Sequence, residues 1–184
     1  MRTLVLGGIR SGKSRWAEEA IAERLQPGQP VCYLAPGLSG HCDEGWAQRV
    51  AQHRKRRPEN WSTIETWDIT THLRQSPETP TLVDDLGTWL TGILDRQNAW
   101  ENGSAAVSAL ARETIDDMLS AVGAFASTLV LVSPEVGLTV VPATASGRLF
   151  ADELGGLNQR VAALCDRVVL VVAGQAVTIK PCPA

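Results

Sequence analysis

One stretch near the start of the chain limits its possible folds more than any other. It matches the phosphate-binding pattern G-x-x-x-x-G-K-[ST] and consists of Gly7, Gly8, Ile9, Arg10, Ser11, Gly12, Lys13 and Ser14. The apolar residues 3–6 before it predict a buried strand, and the alanine-containing residues 15–25 after it predict a helix. Strand, glycine-rich turn and helix in this order are the context that the motif requires. The sequence therefore predicts a P-loop that binds a nucleoside triphosphate.

Each part of this loop has a chemical task. Glycines allow backbone N–H groups to approach phosphate oxygens, and the N-terminus of a helix favours negative charge. Lys13 would reach the outer phosphates, and the hydroxyl of Ser14 can bind Mg²⁺. A chance glycine-rich turn is the alternative reading, against which the flanking strand and helix both argue.

Length and composition narrow the class of protein. With 184 residues the chain is expected to form a single P-loop nucleotide-binding domain, residues 1–184. Its formal net charge of −3 argues against a general nucleic-acid binder, although a local basic patch is compatible with it. The four cysteines form no C-x-x-C pair, which favours incidental thiols in a reducing cytoplasm. The first strand begins at the start of the chain and no apolar run could span a bilayer, so we expect a cytoplasmic protein without membrane insertion.

The pattern of apolar segments predicts the fold class. Further strands are expected at residues 31–35, 61–66, 81–85, 128–133, 167–173 and 177–180, and helices at residues 43–57, 69–75, 86–97, 105–126 and 148–165. Strands that alternate with helices indicate an α/β fold with a mostly parallel sheet and helices on both faces. The turn at Gly174 predicts a closing hairpin, and hence an antiparallel C-terminal edge.

Two strands end in residues that could contact a nucleotide. The second predicted strand ends at Ala35, Pro36 and Gly37, where ligands bind in open α/β sheets; an ordinary Pro-Gly turn is an equal contender. The strand at residues 81–85 ends in Asp84 and Asp85, as in the Walker B pattern, in which a buried strand supplies a carboxylate to Mg²⁺. We select Asp84 as the magnesium-side carboxylate, together with Ser14.

A basic run lies at the end of the predicted helix 43–57. It consists of His53, Arg54, Lys55, Arg56 and Arg57, and Pro58 follows it. A solvated helix end is one interpretation, because the C-terminal dipole favours cations. In a protein that binds a triphosphate, a histidine beside arginines is also a candidate phosphate-handling site.

Three classes of nucleotide-binding protein then compete. A motor ATPase of the RecA kind usually needs a longer chain, and a switch GTPase would need a base-reading motif such as N-K-x-D, which this sequence lacks. Among transferases, a simple kinase needs positioning and charge neutralisation, whereas a nucleotidyltransferase can use a nucleophile to take the nucleoside monophosphate first. Neutral histidine is nucleophilic near pH 7, and neighbouring arginines lower its pKa.

The sequence also resembles a known family along nearly its whole length. The N-terminal half carries the P-loop, His53-Arg-x-x-Arg57-Pro58-x-x-Trp61, Glu65 and Asp84-x-Leu-Gly-Thr-Trp-Leu-Thr91. The C-terminal half carries Glu135-Val136-Gly137, Val141-Pro142, Arg148-x-Phe-x-Asp152, Leu157-Asn158-Gln159, Val171-Val-Ala-Gly174 and Ile179-Lys180. Together these motifs resemble the bifunctional adenosylcobinamide kinase/adenosylcobinamide-phosphate guanylyltransferase family.

This resemblance implies a RecA-like P-loop NTPase fold, a homotrimer and a late step of cobalamin biosynthesis. The implied enzyme phosphorylates adenosylcobinamide with ATP or GTP, then transfers GMP from GTP to adenosylcobinamide phosphate and releases pyrophosphate. His53 would form the GMP-histidine intermediate. The guanine nucleotide would be held by Arg54, Lys55, Arg56, Arg57 and Glu65, with Ala35, Pro36 and Gly37 alongside, and Asp84 would complete the magnesium site.

The chain departs from the family pattern at a few positions. Pro134 stands where a polar residue is usual, and Thr139 stands where glycine is usual. Neither belongs to the P-loop or to the His53 segment. An enzyme that retains one of the two activities, and a regulatory protein that senses GTP, are therefore the alternatives.

Overall fold

A computed structural model describes residues 1–37, 57–102 and 109–182 of the chain. The seven strands are β1 Arg2–Gly7, β2 Val31–Ala35, β3 Trp61–Glu65, β4 Thr81–Asp84, β5 Leu129–Pro134, β6 Arg167–Val172 and β7 Gln175–Lys180. The helices among the described residues are α1 Lys13–Ala22, α2 Ile69–Gln75, α3 Leu86–Arg96, α4 Ala99–Asn102, α5 Ala109–Ala124 and α6 Ala145–Leu164.

All seven strands form one sheet in the order β3-β2-β4-β5-β1-β6-β7. Every neighbouring pair is parallel except β6 and β7, which pair antiparallel. This topology confirms the predicted mostly parallel sheet with an antiparallel C-terminal edge. It also places the ends of β1, β4 and β2, which carry the predicted site residues, at the same edge of the sheet.

Helices cover both faces of the sheet, as predicted. On one face Leu34, Val83 and Leu131 pack with residues of α2, α3, α5 and α6. On the other face Tyr33 and Leu82 pack with residues of α1. Adjacent strand residues thus enter opposite halves of the core, which explains why the central strands are apolar without alternation.

Four predicted helices differ in their ends from those observed. The first runs over Lys13–Ala22 where residues 15–25 were predicted, and α5 ends at Ala124, two residues earlier than predicted. The helix predicted at residues 86–97 ends at Arg96, and the separate short helix α4 follows it. Asn98 lies between them with a φ of 49°, a left-handed conformation that interrupts a helix. The last helix starts at Ala145, three residues earlier than predicted, because the Thr144 side chain accepts a hydrogen bond from Gly147 N–H at 3.1 Å and caps it.

The helix predicted at residues 43–57 lies outside the described residues, apart from Arg57, which stands in a bend. None of the helices in the described ranges is both long and apolar enough to cross a membrane.

Candidate nucleotide-binding site

The P-loop connects β1 to α1, as the motif predicts. Gly12 precedes the helix with a φ of 93° and has no side chain to cap it, and the Ser11 hydroxyl accepts a long hydrogen bond from Lys13 N–H at 3.3 Å. The N-terminus of α1, with its first backbone N–H groups, faces the loop in the way that favours a phosphate. Residues 8–10 at the tip of the loop are exposed, so their backbone is also accessible to a ligand.

The turn between β6 and β7 supports this loop from behind. Gly174 N–H donates to the Ser11 carbonyl oxygen at 2.8 Å. A Cβ atom added to Gly12 would lie 3.3 Å from Gly174 Cα, and one added to Gly7 would lie 2.7 Å from the Val171 carbonyl oxygen. Glycine at these two positions therefore permits close packing of the loop against the last two strands.

Asp84 lies directly beside the P-loop. The Ser14 hydroxyl donates to Asp84 Oδ1 at 3.2 Å, and the Tyr33 hydroxyl donates to Asp84 Oδ2 at 2.5 Å. Burial and the nearby Asp84 carboxylate raise the pKa of Tyr33 well above its usual range, so this phenol remains a proton donor. The two oxygens of Asp84 are thus held by one hydroxyl from α1 and one from β2.

The neighbouring carboxylate, Asp85, has a different position. It caps α3, since its Oδ1 accepts a hydrogen bond from Thr88 N–H at 2.7 Å. Burial raises the pKa of Asp85, and the charge of Asp84 adds to this effect, while Lys13 opposes it. The arrangement favours Asp84 over Asp85 as the ligand-facing carboxylate.

Arg57 is held among three elements of the fold. Its guanidinium carbon lies 3.3 Å from the centre of the Tyr33 ring, and its Nη1 donates to Thr63 Oγ1 at 2.9 Å. Its Nε lies 3.8 Å from Glu18 Oε1, and both side chains are largely buried, with 8% and 11% of their surfaces exposed. Arg57 thus links α1, β2 and β3 on the face of the sheet that α1 covers. The rest of the basic run, His53, Arg54, Lys55 and Arg56, lies outside the described residues.

The other predicted contacts lie further along the same edge. Ala35 and Glu65 end the adjacent strands β2 and β3 and are register partners. Pro36 is buried, and a Cβ atom added to Gly37 would lie 3.7 Å from a methyl group of Thr88 at the start of α3. Glu65 ends the strand four positions from β1, roughly 19 Å at the usual strand spacing of about 4.8 Å. The predicted nucleotide residues that the structure describes therefore form two groups, one around the P-loop and one around the ends of β2 and β3.

The residues beside the P-loop fit a magnesium ion that arrives with a nucleotide. Ser14 and Asp84 supply oxygen ligands, and Mg²⁺ is typically held by one or two carboxylates together with substrate phosphates and water. Within residues 1–37, 57–102 and 109–182, no group of three or more His, Cys, Asp or Glu side chains could hold a metal by itself. This donor set therefore suits a shared metal site that the nucleotide completes.

Two members of the site, Tyr33 and Glu18, were not identified from the sequence. Tyr33 lies in an apolar strand and was read as part of that strand alone. The sequence feature that could have identified Tyr33 as a site residue is its phenol, because a buried tyrosine hydroxyl usually has a hydrogen-bond partner. Strand alternation would then have directed it to the α1 side of the sheet, toward the helix that follows the P-loop.

Comparison with known proteins identifies the family of the chain. A family described as "Cobinamide kinase / cobinamide phosphate guanyltransferase" matches residues 3–179. The bifunctional adenosylcobalamin biosynthesis protein CobP of Pseudomonas aeruginosa is 38% identical, with 98% of each chain covered. The proteins of the same description named CobU from Escherichia coli and Salmonella typhimurium are 36% and 35% identical, and each match covers 98% of this chain and 100% of the relative.

The chain belongs to the cobinamide kinase / cobinamide phosphate guanyltransferase family, which confirms the resemblance seen in its motifs. It is accordingly an enzyme of the kinase and nucleotidyltransferase classes.

Proposed function

We propose that this protein phosphorylates adenosylcobinamide with ATP or GTP and then transfers GMP from GTP to adenosylcobinamide phosphate. The product is adenosylcobinamide-GDP, and both reactions belong to cobalamin biosynthesis. The observation that carries the proposal is the meeting of Ser14 and Asp84 beside the P-loop, with Arg57 packed against the same cluster through Tyr33.

The kinase reaction uses the P-loop. Its amides and Lys13 hold the phosphates of the donor nucleotide, and Ser14 and Asp84 hold the Mg²⁺ that accompanies it. When bound, Mg²⁺ stabilises the negative charge of the transferred phosphoryl group. The alcohol oxygen of the corrinoid side chain forms a bond to the γ-phosphorus, the bond to the β-phosphate oxygen breaks, and the alcohol proton is released.

The guanylyl transfer uses His53. Its neutral ring nitrogen attacks the α-phosphorus of GTP, the bond to the β-phosphate oxygen breaks, and pyrophosphate leaves. A phosphate oxygen of adenosylcobinamide phosphate then takes the GMP and regenerates the histidine. His53 stands four positions before Arg57 in the sequence, and Arg57 packs next to the Asp84 cluster through Tyr33, which supports this assignment.

The guanine nucleotide for this step is held at the ends of β2 and β3. Arg54, Lys55 and Arg56 supply positive charge for its phosphates, and Arg57, which is held against Tyr33, follows them in the chain. Glu65 and the turn Ala35–Gly37 lie alongside the nucleotide. The common edge that the ends of β2 and β3 form with β4 supports this assignment.

We further propose that one domain carries both activities, that the protein works in the cytoplasm and that three copies associate. Val177 and Ile179 on the edge strand β7 are more than half exposed, which supports an apolar contact between copies. Light scattering of the purified protein tests this assembly, and a monomer at micromolar concentration would contradict it.

Incubation with GTP labelled at the α-phosphate tests the transfer. We expect an acid-labile label on the wild-type protein, no label on His53→Ala, and full label on His72→Ala, the matched control in α2. Addition of adenosylcobinamide phosphate should move the label to adenosylcobinamide-GDP. Full labelling of the His53→Ala variant would overturn the assignment of the nucleophile.

Two further measurements separate the alternatives. Product analysis with adenosylcobinamide and ATP alone, and then with GTP, shows whether each activity is present. Tight binding of GTP without release of pyrophosphate, when adenosylcobinamide phosphate is added, would instead favour a GTP-sensing regulatory protein.

A further inference from the structure

The Asp84 carboxylate makes two different hydrogen bonds, of which the sequence motif accounts for one. Its Oδ1 accepts from Ser14, as expected for a Walker B residue next to a P-loop. Its Oδ2 accepts a hydrogen bond from the Tyr33 hydroxyl at 2.5 Å, and Tyr33 is buried, with 1% of its surface exposed. Tyr33 belongs to the core cluster on the α1 side of the sheet, which also contains Ala17 and Leu82.

The ring of Tyr33 is itself fixed on one face. The guanidinium of Arg57 stacks on it at 3.3 Å, which is closer than a typical cation–π contact requires. Arg57 is in turn tied to Glu18 in α1 and to Thr63 in β3. Rotation of the tyrosine ring would therefore disturb an ion pair, a hydrogen bond and the core.

We propose that Tyr33 is a positioning residue of the nucleotide site, which orients the Asp84 carboxylate toward a nucleotide-bound divalent cation, and that Arg57 and Glu18 hold Tyr33 in place. This inference rests on the proposed function, because it assigns Asp84 to the metal of the nucleotide complex. It gives Arg57 a structural task through Tyr33, in place of direct contact with the nucleotide.

The direction of the effect follows from geometry. A carboxylate held at one oxygen alone can rotate about its Cβ–Cγ bond, whereas one held at both oxygens cannot. Groups that orient a metal ligand typically contribute a factor of about 10 to 100 in metal affinity. Loss of the Tyr33 hydroxyl should consequently weaken binding of the cation without weakening the P-loop contacts to the phosphates.

The test measures cation binding directly. Wild-type protein and Tyr33→Phe are saturated with a non-hydrolysable GTP analogue, Mn²⁺ is titrated in, and the free ion is followed by electron paramagnetic resonance. We expect the dissociation constant for Mn²⁺ to rise about tenfold in Tyr33→Phe, which is the scale of a positioning effect. Affinity for the analogue without a divalent cation should be unchanged. Ser62→Ala, which removes a hydroxyl that donates to the Val31 carbonyl oxygen at 3.4 Å, is the matched control and should resemble the wild type.

A second variant tests the role of Arg57. Arg57→Met retains the tyrosine hydroxyl but removes the stacked cation, and we expect a severalfold weaker binding of Mn²⁺. The double variant should bind Mn²⁺ no more weakly than Tyr33→Phe, because both changes act through the same carboxylate. If a thermal unfolding scan shows that Tyr33→Phe does not fold, the Mn²⁺ affinity of Arg57→Met alone tests the inference.

Three results would overturn the inference. Unchanged Mn²⁺ affinity in Tyr33→Phe would show that the hydroxyl does not orient the ligand. Loss of analogue binding without metal, in either variant, would show direct contact or general damage to the site. Absence of Mn²⁺ binding in the wild-type complex would show that Asp84 does not bind a nucleotide-bound divalent cation. None of these measurements requires corrinoid turnover, so failure of the proposed reaction leaves their outcome interpretable.

Discussion

The Ser14 hydroxyl and the Asp84 carboxylate, 70 positions apart in the chain, meet through a hydrogen bond of 3.2 Å. Asp84 ends strand β4, whereas Ser14 lies in the first turn of α1, after the loop that follows β1; β5 lies between β1 and β4 in the sheet. This contact converts two separate sequence motifs into one site, and it makes specific predictions about both.

Replacement of Asp84 by Asn should abolish the metal-dependent reactions while it leaves the fold intact. The amide keeps the size of the side chain but loses the charge that attracts a divalent cation. We expect kcat for the kinase reaction to fall by at least about 100-fold, because metal stabilisation of phosphoryl charge is worth several kcal/mol. Steady-state assays at several Mg²⁺ concentrations measure this.

The control for that variant is Asp116→Asn, which breaks an exposed ion pair with Arg160. It should keep wild-type activity, since exposed pairs contribute little. Equal activity of Asp84→Asn and Asp116→Asn would show that Asp84 does not contribute to the kinase reaction.

Replacement of Gly12 by Ala should impair nucleotide binding for a local reason. Its φ of 93° disfavours a side chain, and the added Cβ would press on Gly174 at 3.3 Å. Gly28→Ala is the control for backbone strain alone, because Gly28 has a φ of 80° but no described atom lies within 4 Å of the added Cβ. Both variants should lose about 1–2 kcal/mol of stability, the usual cost of left-handed backbone.

Only Gly12→Ala should also bind GTP more weakly in a titration followed by calorimetry. If Gly28→Ala loses the same affinity, the effect comes from stability and not from the P-loop.

Two glycines in helices should respond to alanine in opposite directions. A Cβ atom on Gly92 in α3 would collide with the Trp67 ring, and overpacking of this kind costs about 1–3 kcal/mol. Gly155 in α6 has open space around it, so alanine there should stabilise the protein by about 0.5–1 kcal/mol. Urea unfolding monitored by tryptophan fluorescence measures both changes. Destabilisation by Gly155→Ala would contradict the helix position described here.

Asp166 should make stability depend on pH. The Arg2 backbone N–H donates to its carboxylate at 2.7 Å, and this hydrogen bond lowers the pKa of Asp166, with a further contribution from the Arg2 charge. A carboxyl whose pKa is lower in the folded state stabilises the protein above its unfolded pKa, and it loses that effect as the pH falls through the folded pKa.

The wild type should therefore exceed Asp166→Asn in free energy of unfolding at pH 7, and the gap should narrow below about pH 4, near the ordinary aspartate value. Urea unfolding at each pH measures the gap. The exposed Glu113→Gln variant is the control. A gap that is constant from pH 7 to pH 3 would show that ionisation of Asp166 does not contribute.

Parts of the architecture could be read directly from residues near one another in the chain. β2 and α2 were predicted with their observed ends, because an apolar run and a capped helix are local patterns. Asp68 caps α2 by accepting from Thr71 N–H at 3.0 Å, which explains why this boundary was clear. By contrast, α4 was not predicted, because it is separated from α3 by Asn98 in a left-handed conformation, and short sequence patterns rarely predict such a conformation.

The sequence by itself determined the class of the protein, since the P-loop, the order of strands and helices and the family motifs are all patterns in one dimension. Tertiary structure alone decided that Tyr33 lies beside Asp84 and that Arg57 is held between Tyr33 and Glu18. The physical reason is that these contacts arise from the order in which strands are placed in the sheet and from the face that each side chain enters. Neither property is encoded within a short window of residues.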